Sequence, residues 1–285
     1  MFTRHRPDGT RVPGLPPLRK IMPFIMPRRA DAMVFFEQVF DLSATTAYLE
    51  RWNADPSRPR LTLFHVYLAA VARTLHERPR LNRFIAGQRV YQRNAIELSV
   101  SVIKTKHDNA QLTVVKHAFD GTEGLAATRE RVETLATTGR AAQKTASEKE
   151  VDLVTLLPRF VLNLLVRLQR FGDHWNLLPA SLIRNDPLYA SFMVTNLGSI
   201  GIDAAWHHLY EHGTLSIFAA MGKAQPMPFV NGDAVEVRPG LIVRYAFDER
   251  VADGFYAARS LDLLRDLVQS PWRLETEADN GPGPV

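Results

Sequence analysis

The chain has 285 residues, 46% of them hydrophobic and 23% charged, with 35 Lys and Arg against 30 Asp and Glu. These fractions are ordinary for a globular protein and exclude wholesale disorder or a fibrous repeat. The net charge of +5 is too small to indicate nucleic-acid binding, but it is compatible with a polyanionic small ligand. The absence of cysteine excludes disulfides, thiolate metal sites and a cysteine nucleophile, and it suits a cytoplasmic protein.

The two ends of the chain differ in composition from its middle. Residues 1–20 are basic and contain several Pro and Gly, which predicts an extended basic arm rather than a signal peptide. Residues 275–285 are polar with Gly and Pro, which predicts a flexible tail. Between them, predicted strands and helices alternate without a low-complexity linker, so residues 21–274 are expected to form one domain.

The hydrophobic pattern predicts one mixed α/β domain. Residues 96–103 alternate apolar side chains with Glu and Ser, which is typical of a strand, and Asn231-Gly232 between apolar runs predicts a hairpin. In chain order the predicted elements are an apolar segment over 32–39, helices over 44–52 and 63–75, strands over 89–92, 96–103 and 111–117, a helix over 124–138, a helical block over 151–188, strands over 189–197 and 214–221, the hairpin over 229–235, a strand over 241–247 and a closing helix over 257–268.

The helical block contains an unusually apolar segment. The polar side chains of residues 155–170 form one narrow stripe on a helical wheel, and such a helix must be buried or face an apolar partner. With the apolar residues that follow, the segment predicts an inserted helical hairpin over 151–185. It could be an extra core layer, an oligomer contact, or a lid on a membrane or an acyl chain. The few arginines in a narrow stripe favour a core or oligomer contact over the membrane surface.

Three segments carry a resemblance to a known family. They are Ala70-Val-Ala-Arg-Thr-Leu75 with Pro79-Arg-Leu81-Asn82, Ser191-Phe-Met-Val-Thr-Asn-Leu-Gly-Ser-Ile-Gly201, and Tyr245-Ala-Phe-Asp-Glu-Arg-Val-Ala-Asp-Gly254. In this order and at these spacings they resemble the catalytic core of the dihydrolipoyl acyltransferases of 2-oxo-acid dehydrogenase complexes, which is similar to chloramphenicol acetyltransferase. The resemblance runs from about residue 20 to residue 274. It implies an α/β fold of the α+β sandwich type, with a mixed sheet flanked by helices. It also implies a homotrimer with active sites in channels between subunits, and acyl transfer between a thioester and a thiol or hydroxyl.

The chain departs from the family at the position of its catalytic base. The family motif D-H-R-x-x-D-G, whose His removes the proton from the attacking group, reads Asp248-Glu-Arg-Val-Ala-Asp-Gly254 here. A free Glu titrates about four units below a thiol, so as a base it begins roughly 5–6 kcal/mol worse than a matched group. Burial in an apolar channel would recover part of this difference. The alternative is a structural Glu249 paired with a nearby arginine such as Arg250.

The resemblance also assigns roles to other positions. Thr195 matches the Ser or Thr that hydrogen-bonds the tetrahedral oxyanion, although it could instead cap the turn that follows. The adjacent Asn196 is expected to contact substrate. Asp253 matches a second acidic position that pairs with an arginine near the N-terminus, here Arg28 or Arg29.

Gly254 is expected to permit a tight turn into the closing helix. The substrate-channel segment of the family, T-P-R-G-L-x-x-P, is replaced by residues 104–112, which argues against lipoamide as acceptor. Lys104, Lys106 and His107 could contact coenzyme A phosphates, or could form a solvated strand end.

Histidines offer a further set of polar groups. His208 is a candidate for substrate binding, and His208 with His212 would share one helical face at the i, i+4 spacing of some metal ligands. Without further ligands in view, no metal is predicted, and polar contacts at a subunit interface are the preferred interpretation.

Two hypotheses follow, and the first is slightly preferred. One is an acyltransferase that uses acyl-coenzyme A as donor, with no covalently bound cofactor and an unknown acceptor. The other is a catalytically inactive trimeric scaffold or assembly subunit of the same fold. The missing His and channel segment favour the scaffold, whereas Thr195, Asp253 and Gly254 favour the enzyme. A third, weaker hypothesis is membrane-surface association through residues 155–183.

Overall fold

The fold is that of a computed structural model, which describes residues 5–104, 112–141 and 145–276. Lys106, His107 and most of the predicted tail lie outside these residues. The strands are β1 His5–Arg6, β2 Gly9–Arg11, β3 Met33–Asp41, β4 Arg83–Ala86, β5 Arg89–Arg93, β6 Ile96–Ile103, β7 Leu112–Phe119, β8 Phe192–Asn196, β9 Ile217–Met221, β10 Gln225–Asn231 and β11 Ala234–Asp248. The helices are α1 Pro17–Ile25, α2 Ser43–Ala54, α3 Leu63–Glu77, α4 Leu125–Arg140, α5 Ala146–Thr155, α6 Arg159–His174, α7 Ala180–Asn185 and α8 Gly254–Gln269.

The large sheet has the order β3-β11-β9-β8-β6-β7. Strand β8 is parallel to both β6 and β9, and the other neighbours are antiparallel, so the predicted mixed sheet is confirmed. Strand β11 lies between β3 and β9 along its second half, and its first half pairs with β10. The hairpin between β10 and β11 turns at Gly232, whose φ of 60° suits a glycine. This is the predicted Asn-Gly hairpin.

The two faces of the sheet are covered differently, because successive side chains of a strand point to opposite sides. Val194, Ala219 and Tyr245 lie in the main core with α3, α4 and α8. Their neighbours Met193 and Phe218 face the other way, against a smaller cluster from the irregular chain before β9. The helices therefore cover one face of the sheet, as the resemblance implies.

The N-terminal segment is not the extended arm that its composition suggests. Strands β1 and β2 form a hairpin that adds to β5 and β4 in a small four-stranded sheet, and α1 follows. Arg6 is buried and bonded to Asp8 at 2.9 Å and to Asp173 at 2.7 Å. Its guanidinium also lies over the Phe84 ring, 5.4 Å from the centroid. A basic residue that looks solvated in sequence is therefore neutralised by partners far along the chain.

The predicted helical block forms α5, α6 and α7, but it is not an extra core layer. Leu156 and Phe160 are 82% and 75% exposed, and Gly172 is the only buried residue of α6. The core interpretation is therefore wrong for the single chain, and its surface alternatives stand. In the part of the chain that the structure describes, no helix is long and apolar enough to cross a membrane.

Candidate active site

The predicted catalytic residues follow two strands of the large sheet. Thr195 lies near the end of β8, opposite Ala220 of β9, which pairs with Arg244 of β11. Glu249 comes five residues after Arg244, and its N–H continues the ladder by donating to the Ala32 carbonyl at 3.0 Å. At about 3.4 Å per residue, Glu249 is about 17 Å further along the sheet than Thr195. One chain therefore does not bring these two side chains to the same substrate atom.

Arg250 forms a buried ion pair with Asp248, not with Glu249. Its Nη2 and Nε lie 2.7 and 2.8 Å from the two Asp248 carboxylate oxygens, and both side chains are at most 2% exposed. Its Nη1 donates to the Met26 carbonyl at 2.7 Å, which ties the motif to the end of α1. Such a bidentate pair satisfies the guanidinium, so the predicted structural pair of Glu249 with Arg250 is wrong.

The Glu249 carboxylate is free among the described residues. The backbone of Glu249 is held on both sides, because its carbonyl also accepts a 2.6 Å hydrogen bond from Arg19. The side chain is half-buried, and no described residue gives it a hydrogen bond or ion pair. The Glu249 backbone is therefore held in place while its carboxylate is left to contact a ligand.

The end of β8 separates the roles predicted for its two polar residues. Asn196 is the residue that caps the turn, since its Oδ1 accepts from the Ser199 N–H at 3.2 Å. The neighbouring Thr195 is half-buried, and its hydroxyl has no hydrogen bond within the described parts of the chain. The turn-capping alternative therefore belongs to Asn196, and it leaves the Thr195 hydroxyl available; substrate contact by Asn196 stays a prediction.

Asp253 is the N-cap of α8 rather than the partner of Arg28 or Arg29. Its carboxylate accepts from the Tyr256 N–H at 2.8 Å, and this bond holds the pKa of Asp253 below its usual value. The arginine facing it is Arg19, at 3.9 Å. Arg28 instead pairs with the exposed Asp31 at 2.9 Å.

Arg29 is buried and donates to the carbonyls of Glu211 and Gly213, and burial lowers its pKa.

The structure gives no steric reason for a glycine at position 254, which was predicted to permit a tight turn into the closing helix. Its φ is not positive, and a Cβ there would meet no atom within 4 Å.

An arginine-lined cleft of about 260 Å³ lies beside residues 250–253, directly after Glu249. Arg19, Arg80, Arg83 and Arg250 line it with Asp253, together with apolar residues of the segment between β2 and α1. Burial lowers the pKa of Arg83. Because Arg250 is neutralised by Asp248, three guanidinium groups face the one Asp253 carboxylate, which makes the cleft suited to a polyanion such as a phosphorylated ligand. The sequence did not predict this cleft, although Arg80 belongs to one of the segments that carry the resemblance.

Lys104 and His208 are not brought to this cleft. Lys104 pairs with Glu148 at 2.8 Å. Partial burial would raise the pKa of Glu148, but hydrogen bonds from Lys104 and the Thr145 N–H outweigh it and lower the pKa to about 2.

His208 is exposed and stacked on His207 with ring centroids 4.7 Å apart. The chain around His208 is irregular, so the helical face predicted for His208 and His212 is not formed. Within the residues described, no group of three His, Asp or Glu side chains is arranged to hold a metal ion.

Comparisons with known proteins agree with this architecture. Residues 180–276 match the family model described as 2-oxoacid dehydrogenases acyltransferase (catalytic domain). The comparison with curated proteins gives no match. Among solved structures, the chain is similar to a dihydrolipoamide acetyltransferase of Azotobacter vinelandii, with a TM-score of 0.62, 19% identity and coverage of 93% of this chain and 94% of that one.

Two further structures show the same fold. A probable dihydrolipoamide acetyltransferase of Listeria monocytogenes has a TM-score of 0.59 at 16% identity, covering 94% of this chain and 96% of its own. A chloramphenicol acetyltransferase has a TM-score of 0.53 at 12% identity, covering 88% of this chain and 94% of its own. The resemblance stated from the sequence is confirmed: the fold is that of the acyltransferase cores, and the family signal is carried by the last third of the chain.

Proposed function

We propose that this chain, which has the fold of the 2-oxo-acid dehydrogenase acyltransferase cores, transfers an acyl group from acyl-coenzyme A to a thiol or hydroxyl acceptor. The observation that carries the proposal is the Glu249 carboxylate, which has no partner among the described residues and directly precedes Arg250 of the arginine-lined cleft. A carboxylate retained for structure alone would be expected to engage a neighbouring arginine. Arg250 and Arg19 are both within the motif's reach, yet they bind Asp248 and the Glu249 carbonyl instead.

In the proposed reaction Glu249 acts as the base. Its carboxylate takes the proton of the acceptor thiol or hydroxyl while that sulfur or oxygen attacks the thioester carbonyl. The carbonyl carbon then expels the coenzyme A sulfur, which receives the proton back from the Glu249 carboxyl group. The Thr195 hydroxyl donates a hydrogen bond to the tetrahedral oxyanion, a preorganised contact of the kind that lowers such barriers.

The reaction requires Thr195 from a second copy of the chain. Thr195 lies about 17 Å along the sheet from Glu249 of the same chain, so a single chain does not place the base and the oxyanion donor at one site. We therefore propose a homotrimer in which Glu249 of one subunit faces Thr195 of the next. A relative of known structure has been described as part of the cubic core of the pyruvate dehydrogenase complex, which supports assembly in this fold.

The arginine-lined cleft is proposed to hold the phosphates of coenzyme A. Arg80 and Arg83 are the most suitable contacts, because Arg250 is committed to Asp248 and Arg19 to the Glu249 carbonyl. This replaces the role considered for Lys104, whose ammonium group is bound to Glu148.

In the Azotobacter enzyme, the histidine and the asparagine studied for the catalytic mechanism stand four positions apart, as Glu249 and Asp253 do here.

A second candidate is a scaffold that keeps the fold without the chemistry. It is favoured by the structural use of Asn196 and Asp253, whose side-chain oxygens cap a turn and a helix. This scaffold would assemble as the enzyme does, but would bind no coenzyme A.

Calorimetric titration with coenzyme A and acetyl-coenzyme A separates the two candidates. The enzyme hypothesis predicts micromolar binding that weakens at least tenfold in Arg80→Gln/Arg83→Gln, because two phosphate contacts are lost. Arg28→Gln, which removes one surface cation away from the cleft, serves as the matched control and should bind like the original chain. Absence of binding would sink the acyltransferase proposal and leave the scaffold.

A further inference from the structure

The two most exposed apolar helices of the described chain lie at one cavity. Helix α1 exposes Leu18, Ile21, Phe24 and Ile25, at between 52% and 67%. Helix α6 exposes a ridge formed by Phe160, Leu164, Leu168 and Phe171, at between 55% and 75%. Phe24 of α1 and Trp175, directly after α6, both line a cavity of about 800 Å³ between the two helices. The cavity therefore borders the apolar side of α1 at Phe24 and the C-terminal end of α6, whose four ridge residues precede the part of the helix that lines it.

The hydrogen bonds and ion pairs that join α6 to the body in the described chain lie at its C-terminal end. Asp173 binds Arg6 at 2.7 Å, and the Asn176 amide donates to the Tyr91 hydroxyl at 2.8 Å. These contacts hold the end of the helix beside the small sheet. The remainder of α6 exposes its apolar ridge to solvent. Exposed apolar surface raises the free energy of a monomer in water unless an apolar partner or a membrane covers it.

The charge of this surface has one sign. Residues 156–172 contain three arginines and no acidic residue, and residues 9–30 contain five Lys and Arg and no acidic residue. Arg159, Arg167 and Arg170 lie along one flank of the α6 ridge by helical spacing. The cavity itself is lined by Arg11, Arg19, Lys20 and Arg89 with His174, and by no carboxylate.

We propose that α1, α6 and the cavity between them form a docking surface for an anionic phospholipid membrane. An apolar ridge flanked by arginines is the arrangement of helices that lie in the membrane interface, with the cations reaching the headgroups. The cavity accommodates headgroup phosphate. This occupant explains both the exposed ridge and the absence of carboxylates from the cavity lining. The proposal does not depend on acyl transfer.

Vesicle sedimentation tests the proposal with the full chain. We expect binding to vesicles of phosphatidylglycerol with phosphatidylcholine, little binding to phosphatidylcholine alone, and weaker binding as salt is raised to about 1 M. Arg167→Gln/Arg170→Gln should weaken binding roughly thirtyfold, since each cation near an anionic surface contributes about a factor of five. Phe160→Ser/Leu164→Ser should weaken it at least tenfold.

The matched control is Val235→Ser/Val237→Ser, which removes apolar side chains that are 68% and 75% exposed on the β10–β11 hairpin. Its vesicle binding should equal that of the original chain. All variants should keep their melting temperature, because the substituted side chains are exposed. Failure of the original chain to bind anionic vesicles would overturn the proposal, as would full binding by Phe160→Ser/Leu164→Ser. If light scattering then showed a smaller assembly for that variant, the surface would be an interface between copies.

Discussion

The buried pair of Asp248 and Arg250 predicts a large and specific loss of stability. In Arg250→Met, the Asp248 carboxylate loses both of its guanidinium hydrogen bonds in a site where the side chains are 1% and 2% exposed. A buried charge left without its partner costs about 3–5 kcal/mol. The same substitution also removes the hydrogen bond from Arg250 Nη1 to the Met26 carbonyl, which leaves that carbonyl without this donor.

A double-mutant cycle measures whether this cost comes from the pair. Replacing both groups, in Asp248→Asn/Arg250→Met, removes the unpaired charge and should cost less than the sum of the two single variants by about 1–3 kcal/mol. Urea unfolding followed by circular dichroism gives the free energies. Glu249→Gln is the matched variant within the motif, and it should change stability by less than about 0.5 kcal/mol because its carboxylate has no partner among the described residues.

The opposite result would refute the assignment of partners. If Glu249→Gln cost as much as Arg250→Met, the arginine would be engaged by Glu249 in solution. Additive single and double variants would show that Asp248 and Arg250 do not interact. Arg28→Ala, at an exposed pair, sets the scale of a surface contact and should cost about 1 kcal/mol or less.

Three further predictions follow from single contacts. Asp253→Ala removes the N-cap of α8 and should lower the free energy of unfolding by about 1 kcal/mol in urea melts at pH 7, so equal stabilities there would contradict the cap. Because folding lowers the pKa of Asp253, this stabilisation is present above the unfolded pKa and disappears as the pH falls through the folded pKa. Gly198→Ala, where a Cβ would lie 2.5 Å from a backbone carbonyl oxygen, should lower the free energy of unfolding by about 1–3 kcal/mol, whereas Gly254→Ala should leave it unchanged. If Gly254→Ala lowered the melting temperature more than Gly198→Ala, the close backbone approach at Gly198 would be wrong. Glu148 should titrate near pH 2 by NMR, and Lys104→Met should raise that pKa; an unchanged midpoint would exclude the ion pair.

The elements that the sequence predicts well are those whose pattern is local. Helix α3 and strand β6 repeat their apolar residues at the helical and strand periods, and both occur at the predicted positions. The hairpin follows from the Asn-Gly turn alone. The mixed sheet was inferred through the resemblance, since strand order is not contained in any local window.

The errors arise where a residue's partner is distant in sequence. Arg6 was assigned to a solvated arm, but Asp173 and the small sheet bury it. Asp253 was expected to pair with Arg28 or Arg29, whereas its carboxylate caps α8 by accepting from the Tyr256 N–H. The apolar pattern of α6 correctly indicated a face that needs a partner, but periodicity does not show whether the partner is the protein's own core.

The central claim is that the free carboxylate of Glu249 serves as the base in acyl transfer, and one assay tests it directly. Because the chain has no cysteine, a thiol reagent detects only the coenzyme A released from acetyl-coenzyme A in the presence of candidate thiol-free acceptors. The account predicts that the original chain releases coenzyme A and that Glu249→Gln, with unchanged stability and coenzyme A affinity, is slowed at least a hundredfold, the scale of a lost general base of roughly 10² or more. Equal rates in the two proteins would contradict the claim.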